Sequence, residues 1–260
     1  MGARLEIEGL TLAFGGVRVL QDISFVVEAG QVFGLVGPNG AGKTSLFNCM
    51  SGHYRPTSGS VRLDDKELLN APAWRVSRLG LARTFQHAAL RPEATVLENV
   101  MLGGHTRLRG GPLSWALRLP RTKADERKVR TEALELLDRL GMGWAADRKA
   151  SELSLGLHKG VELCRALMQE PTLLLLDEPA AGLPHSEVEN LINLVREVNT
   201  EFGVTVVVVE HNMGLISAVS ERVIVLNHGR KLMEGTPKEA QSDPRVIEAY
   251  IGSGVSNGAA

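Results

Sequence analysis

The sequence predicts an α/β fold: a parallel-rich sheet covered by helices, with a helical lobe inserted into it. Three observations predict it. Runs that read as buried strands recur at Gln31–Val36, Leu173–Leu176, Val204–Val209 and Arg222–Leu226. Strands buried on both faces of a parallel sheet are near-continuous in apolar residues, and helices fill the connections between them. From about Glu93 to Met168 that pattern gives way to a helical one. Finally, a glycine-rich turn at Gly37–Gly42 joins the first buried strand to a helix.

Taken in order, Leu5, Ile7 and Leu10 alternate with Glu6 and Glu8, the pattern of a half-exposed strand, and Val19–Val27 continues the β character. Lys43–Met50 reads as a helix and Thr57–Asp64 as a strand after a turn. Thr95-Val96-Leu97-Glu98 has capping-box spacing. Val129, Ala133, Leu136, Leu137 and Leu140 recur at helical period among charges. Leu108–Arg121 is a basic, Gly/Pro-containing interruption, read as a loop with a short helix. Ser186-Glu187-Val188-Glu189 is a second capping box, opening a helix to about Thr200, and Asp243–Ile251 closes the chain as a helix. The expected organisation is a core with its β-subdomain at about 1–92 and 169–252, a helical subdomain at about 93–168, and a small, polar, mobile tail at 253–260.

Composition narrows the function classes. Of 260 residues, 29 are basic and 30 acidic, so no strongly basic field is available to hold nucleic acid. The two cysteines, Cys49 and Cys164, sit among apolar neighbours without a Cys-x-x-Cys pair and read as buried reduced thiols. Met1–Leu10 lacks the apolar core of a secretory leader. No apolar run approaches the roughly 20 residues that span a bilayer. If the protein works at a membrane, another chain does the spanning.

Gly37-Pro38-Asn39-Gly40-Ala41-Gly42-Lys43-Thr44 matches the phosphate-binding pattern G-x-x-x-x-G-K-[ST] between a strand and a helix. Glycines let the backbone close around a phosphate, and loop N–H groups and the helix N-terminus face its charge. Lys43 is placed to reach the β- and γ-phosphates of ATP and the Thr44 hydroxyl to ligate Mg²⁺. Ser45, next in the chain, is grouped with the nucleotide-binding residues. Leu173–Leu176 runs straight into Asp177 and Glu178. Ligands of open α/β sheets bind at the carboxyl ends of the strands. Asp177 is therefore expected to hold Mg²⁺ through water, and Glu178 to orient or deprotonate an attacking water.

With these residues in place, the chain from about Leu5 to Gly252 resembles the ABC ATPases. The resemblance implies a P-loop NTPase fold with an N-terminal antiparallel β-subdomain and an inserted helical subdomain. It implies that Phe14 stacks on adenine, the alternative being a core or edge phenylalanine. It implies that Gln86, in Arg83-Thr84-Phe85-Gln86-His87, senses Mg²⁺ and water while its loop meets the membrane partner. In Leu153-Ser154-Leu155-Gly156-Leu157, Ser154 and Gly156 correspond to the residues that bind the γ-phosphate held by the opposite subunit; a plain helix cap at Ser154 is the other reading. His211, after Glu210, corresponds to the histidine that contacts the γ-phosphate. The chain departs from the usual pattern at Leu155, at Leu157, and at Pro184, where an aspartate is common.

The implied partners are transmembrane permease subunits, a second ATPase subunit in a head-to-tail homodimer or heterodimer, and indirectly a solute-binding protein outside the membrane. The implied location is the cytoplasmic face of the membrane. A finer resemblance is to the cassettes of branched-chain amino-acid importers. It rests on Arg83–His87, on Ala180-Ala181-Gly182-Leu183 after Pro179, on the basic insertion, and on Gly235-Thr236-Pro237 with Asp243–Gly252. Cassettes for urea/amide import or lipopolysaccharide export share that ending and stay open as alternatives, as do a soluble ABC ATPase and a nucleotide-binding regulator with little turnover.

Overall fold

The computed structural model describes residues 2–69, 71–84, 90–107 and 120–255. Gln86 and residues 108–119 of the basic insertion lie outside them. Contacts divide the chain into two compact units: residues 1–86, 172–181 and 195–260 form the first, and 87–171 with 182–194 the second.

The first unit holds two sheets. Strands β1 (Leu5–Phe14) and β2 (Val17–Val27) form a hairpin through Gly15 and Gly16, at φ 52° and 88°. Two successive positive φ angles are what a two-residue type I′ turn demands, and glycine meets them without strain. With β4 (Ser58–Leu63) and β5 (Lys66–Glu67) the hairpin builds an antiparallel sheet in the order β2-β1-β4-β5. The second sheet runs β10-β9-β3-β8-β7-β6. Its strands β3 (Val32–Val36), β6 (Leu81–Arg83), β7 (Leu173–Asp177), β8 (Thr205–Val209) and β9 (Arg222–Asn227) are parallel, and β10 (Arg230–Gly235) lies antiparallel to β9 at one edge.

The period of two along a strand explains how this second sheet is covered. Phe33, Leu35, Leu173, Leu175, Val207, Val209, Ile224 and Leu226 share one buried cluster with Leu46, Phe47 and Met50 of helix α1 (Lys43–Met50) and with Leu5, Ile7, Ile23 and Phe25 of the antiparallel sheet. The Phe25 and Phe33 rings stack there at 5.4 Å. Val76 of α2 (Ala73–Arg78) joins the same cluster. The intervening residues Leu174, Leu176, Val206, Val208, Val223 and Val225 are equally buried but outside it, which places them on the opposite face.

In the second unit, α3 (Val96–Met101) starts as the capping box at Thr95 predicts. Thr95 Oγ1 accepts from Glu98 N at 3.1 Å and Glu98 Oε2 accepts from Thr95 N at 2.8 Å. The apolar stripe Val129, Ala133, Leu136, Leu137 of α4 (Pro120–Arg139) is buried, as are Val161, Leu163, Cys164 and Leu167 of α5 (Leu155–Leu167). Helix α6 begins at His185, straight after Pro184 and one residue before the predicted cap, and runs to Phe202. Residues 185–194 belong to the second unit and 195–202 to the first.

The first unit is completed by α7 (Met213–Val219), α8 (Pro237–Ser242) and α9 (Pro244–Val255). Ile216 of α7 packs on the second face of the large sheet. A Cβ at Gly34 would lie 2.8 Å from Val223 Cγ1 and 3.1 Å from Ile216 Cγ2, so this close approach excludes any side chain in the middle of β3. The closing helix is longer than the sequence suggests: it reaches Val255, so the first residues of the expected tail are helical.

Candidate functional site

Strand register brings the candidate residues together. Leu35 pairs with Val209, and Val209 pairs with Asp177. Three chain segments therefore leave the carboxyl edge of adjacent parallel strands at one level: Gly37–Gly42 after β3, Glu178–Ala181 after β7, and Glu210–Asn212 after β8. This is the edge where ligands of open α/β sheets bind.

The first segment is a bowl. Gly37, at φ 153°, would place a Cβ 2.3 Å from the Leu226 carbonyl oxygen, and Gly42 adopts φ 102° as the residue that opens α1. Asn39, Gly40 and Thr44 are exposed, Ser45 is half-buried, and Pro38 and Ala41 are buried. No side chain caps the N-terminus of α1. The first N–H groups of any helix lack intrahelical acceptors, and here they face a glycine-lined opening, which suits an anion. Lys43 is buried, and its Nζ donates to the carbonyls of Gly37 at 2.6 Å and Pro38 at 3.0 Å. Burial lowers its pKa, against the opposing charges of Glu178, Glu210 and Asp177. A cation set into the bowl beside three carboxylates fits a phosphate chain.

The second segment carries both candidate carboxylates. Asp177 is buried, and its Oδ2 accepts from Arg83 Nη2 at 2.7 Å. Arg83 Nη1 also donates to Asn48 Oδ1 at 2.7 Å and to Ser51 Oγ at 3.0 Å. Glu178 has φ 44°, a left-handed conformation that costs a residue other than glycine about 1–3 kcal/mol and persists where its surroundings enforce it. Its N–H donates to Val209 O at 2.9 Å, and its carbonyl accepts from Ala181 N at 3.0 Å. The arrangement holds the Glu178 turn at the site while leaving its side chain partly open. Exposed Thr44 and buried Asp177 supply the hard oxygen donors that Mg²⁺ takes together with phosphate oxygens.

The third segment places His211, whose side chain is 60% exposed. Glu210, fully buried, sits beneath it. At the end of β1, Phe14 is half exposed and meets the Tyr54 ring edge-on at 5.3 Å. Tyr250 of the closing helix is half-buried, and this partial burial raises its phenol pKa against an opposing hydrogen bond with the Gly37 backbone.

Ser154 and Gly156 belong to the second unit. Ser154 is exposed and caps α5, its Oγ accepting from Leu157 N at 3.4 Å. The Gly156 N–H donates to Glu187 Oε2 at 2.8 Å. The same unit has a cavity of about 530 Å³ lined by Pro92, Met101, Leu102 and Val129 among others. None of the phosphate-motif residues lines it.

The structure thus gathers Gly37–Ser45, Asp177, Glu178 and His211 at one sheet edge; Phe14 ends a strand of the antiparallel sheet, Ser154 and Gly156 belong to the second unit, and Gln86 lies outside the described residues. Two residues of this edge escaped the sequence reading as separate candidates. Arg83 was visible only as part of a short motif. Glu210 carried a signal: it follows an all-valine strand, as Asp177 follows an all-leucine one.

Residues 20–181, more than half of the chain, match the family described as ABC transporter. The chain belongs to that family. As a member it is an ATP-binding cassette and an ATPase. Residues 230–256 of the cassette match a second description, branched-chain amino acid ATP-binding cassette transporter. The cassette is 38% identical over 248 residues to the high-affinity branched-chain amino acid transport ATP-binding protein BraF of Pseudomonas aeruginosa, covering 95% of this chain and 97% of that one. The LivG protein of Salmonella typhimurium, described in the same words, matches at the same identity and coverage. Among solved structures, the ADP conformation of an ATP-binding cassette of an ABC transporter superposes with a TM-score of 0.84 at 32% identity, over 97% of this chain and 100% of that one. No helix among the described residues is long and apolar enough to cross a membrane.

Proposed function

We propose that this cassette hydrolyses MgATP to drive import of branched-chain amino acids through separate membrane subunits. The observation that carries the substrate class is the 38% identity, along 95% of the chain, to proteins named for branched-chain amino acid transport. The match at residues 230–256 supports it.

In this reading the Gly37–Thr44 backbone and Lys43 bind the β- and γ-phosphates, and Phe14 stacks on adenine. Thr44 and Asp177 hold Mg²⁺, assisted by Gln86; when bound, the ion neutralises phosphate charge. Glu178 orients the attacking water and withdraws its proton, and His211 contacts the γ-phosphate. Ser154 and Gly156 serve the nucleotide of a second cassette in a head-to-tail dimer. A related cassette, superposing with a TM-score of 0.73 at 26% identity, is described as a dimer in a post-hydrolysis state bound to ADP and phosphate. Permease subunits hold the dimer at the cytoplasmic face of the membrane, and a solute-binding protein delivers the amino acid.

The test is uptake of labelled leucine by cells lacking this chain and complemented with wild type or Lys43→Ala. Rescue by wild type alone supports the reading. A deletion strain with normal leucine, isoleucine and valine uptake, and a defect instead in urea, amide or lipopolysaccharide transport, overturns the substrate class.

A further inference from the structure

We propose that Glu210 is a positioning residue that locks the turn bearing Glu178 to the turn bearing His211. The proposal deepens the hydrolytic reading above and rests on it.

Glu210 follows the last residue of β8 and is fully buried. Its two carboxylate oxygens face different turns. Oε1 accepts from Ala180 N at 2.8 Å, inside the turn that Glu178 opens. Oε2 accepts from His211 N at 3.1 Å and from Asn212 N at 3.4 Å, where the His211 turn enters α7. The backbone ties the neighbouring strands too: Glu178 N donates to Val209 O of β8 at 2.9 Å, and Glu210 N to Leu35 O of β3 at 3.3 Å. A buried carboxylate is costly unless its oxygens are satisfied. Here N–H groups from both turns satisfy it, and Lys43 lies within its electrostatic reach.

The chemistry makes the residue hard to replace. A carboxylate accepts at both oxygens, whereas glutamine turns an –NH₂ donor toward one of the two turns. Glutamine can therefore keep the Ala180 bond or the His211 bond, not both. Glu178 sits at φ 44° and must be held there from outside. Loosening the residues after it lets its side chain leave the line of attack, while the Gly37–Lys43 cradle on β3 keeps its own support. A misplacement of about 1 Å costs on the order of 10²-fold in rate.

The test compares wild type, Glu210→Gln and Glu210→Ala in three measurements: ATP turnover, nucleotide affinity and amide hydrogen exchange. We expect kcat to fall roughly 10²-fold in Glu210→Gln and further in Glu210→Ala, with the affinity for ADP within about twofold of wild type. Exchange should quicken in both the 178–181 and the 210–212 segments, with Leu46 in α1 unchanged as the control for general loosening. Equal kcat in wild type and Glu210→Gln overturns the proposal while leaving the hydrolytic reading intact. Absence of turnover in wild type overturns the hydrolytic reading, and the exchange data still decide whether Glu210 locks the turns. Quickened exchange in one segment only, in Glu210→Ala, contradicts it.

Discussion

Arg83 Nη2 donates to Asp177 Oδ2 at 2.7 Å, and the two side chains are only 10% and 5% exposed. The pair joins the end of β6 to the carboxylate assigned to the metal. Removing one member of a buried pair leaves the other charge without compensation and costs about 3–5 kcal/mol. Arg83→Ala is therefore expected to lower unfolding stability by about 3 kcal/mol. Arg83→Lys should recover only part of it, because one ammonium cannot reproduce the fork that serves Asp177, Asn48 and Ser51. Urea unfolding checks this; a loss below about 1 kcal/mol in Arg83→Ala would place the pair among weak surface contacts.

Glu187 occupies, with its carboxylate, the N–H of Gly156 that the proposed function offers to a phosphate. In that reading an anion already sits where a second anion would come. A hydrogen bond to a charged group is worth about 1.5–3 kcal/mol, so under the proposed function its exchange for phosphate would set part of the threshold for dimer formation. In a Glu178→Gln background, Glu187→Ala is expected to lower the ATP concentration that half-saturates the dimer by about tenfold. Light scattering during an ATP titration measures it. A higher half-saturating concentration would mean that Glu187 orients Gly156 rather than competing at it.

Cys49 and Cys164 are buried, and burial pushes both thiols up to about 12. A raised acid pKa means that the folded state retains protons which the unfolded chain releases. Their contribution to stability is full below pH 9 and is lost as pH rises from about 9 towards 12. At pH 8 both cysteines should resist iodoacetamide in the folded protein and both should react in urea. Labelling of either one in the native state, seen by intact mass, would contradict the burial.

The sheet was legible because its physics is written in order along the chain. The leucines before Asp177 and the valines before Glu210 read as strands buried on both faces, and the glycines before Lys43, between a strand and a helix, match the phosphate-binding pattern. Strand β6 was not legible. Three residues, one of them Arg83, carry no periodicity, and they pair only because β7 offers a free edge. The same holds for the partners of buried charges. Sequence spacing cannot show that Arg83 meets Asp177 across 94 positions or that Glu210 reaches Ala180 across 30. The Glu187–Gly156 contact was hidden for another reason: Glu187 reads as part of a helix start, and its carboxylate instead answers the start of a different helix.

Phosphate release from MgATP by wild type, Lys43→Ala and Glu178→Gln tests the central claim most directly, with bound nucleotide and oligomeric state measured on the same samples. Wild type should turn over, Lys43→Ala should lose nucleotide binding, and Glu178→Gln should bind ATP, remain dimeric and hydrolyse roughly 10²-fold or more slowly, as expected for loss of a general base. A Glu178→Gln protein that hydrolyses ATP at the wild-type rate would contradict the assignment of this strand edge as the hydrolytic site.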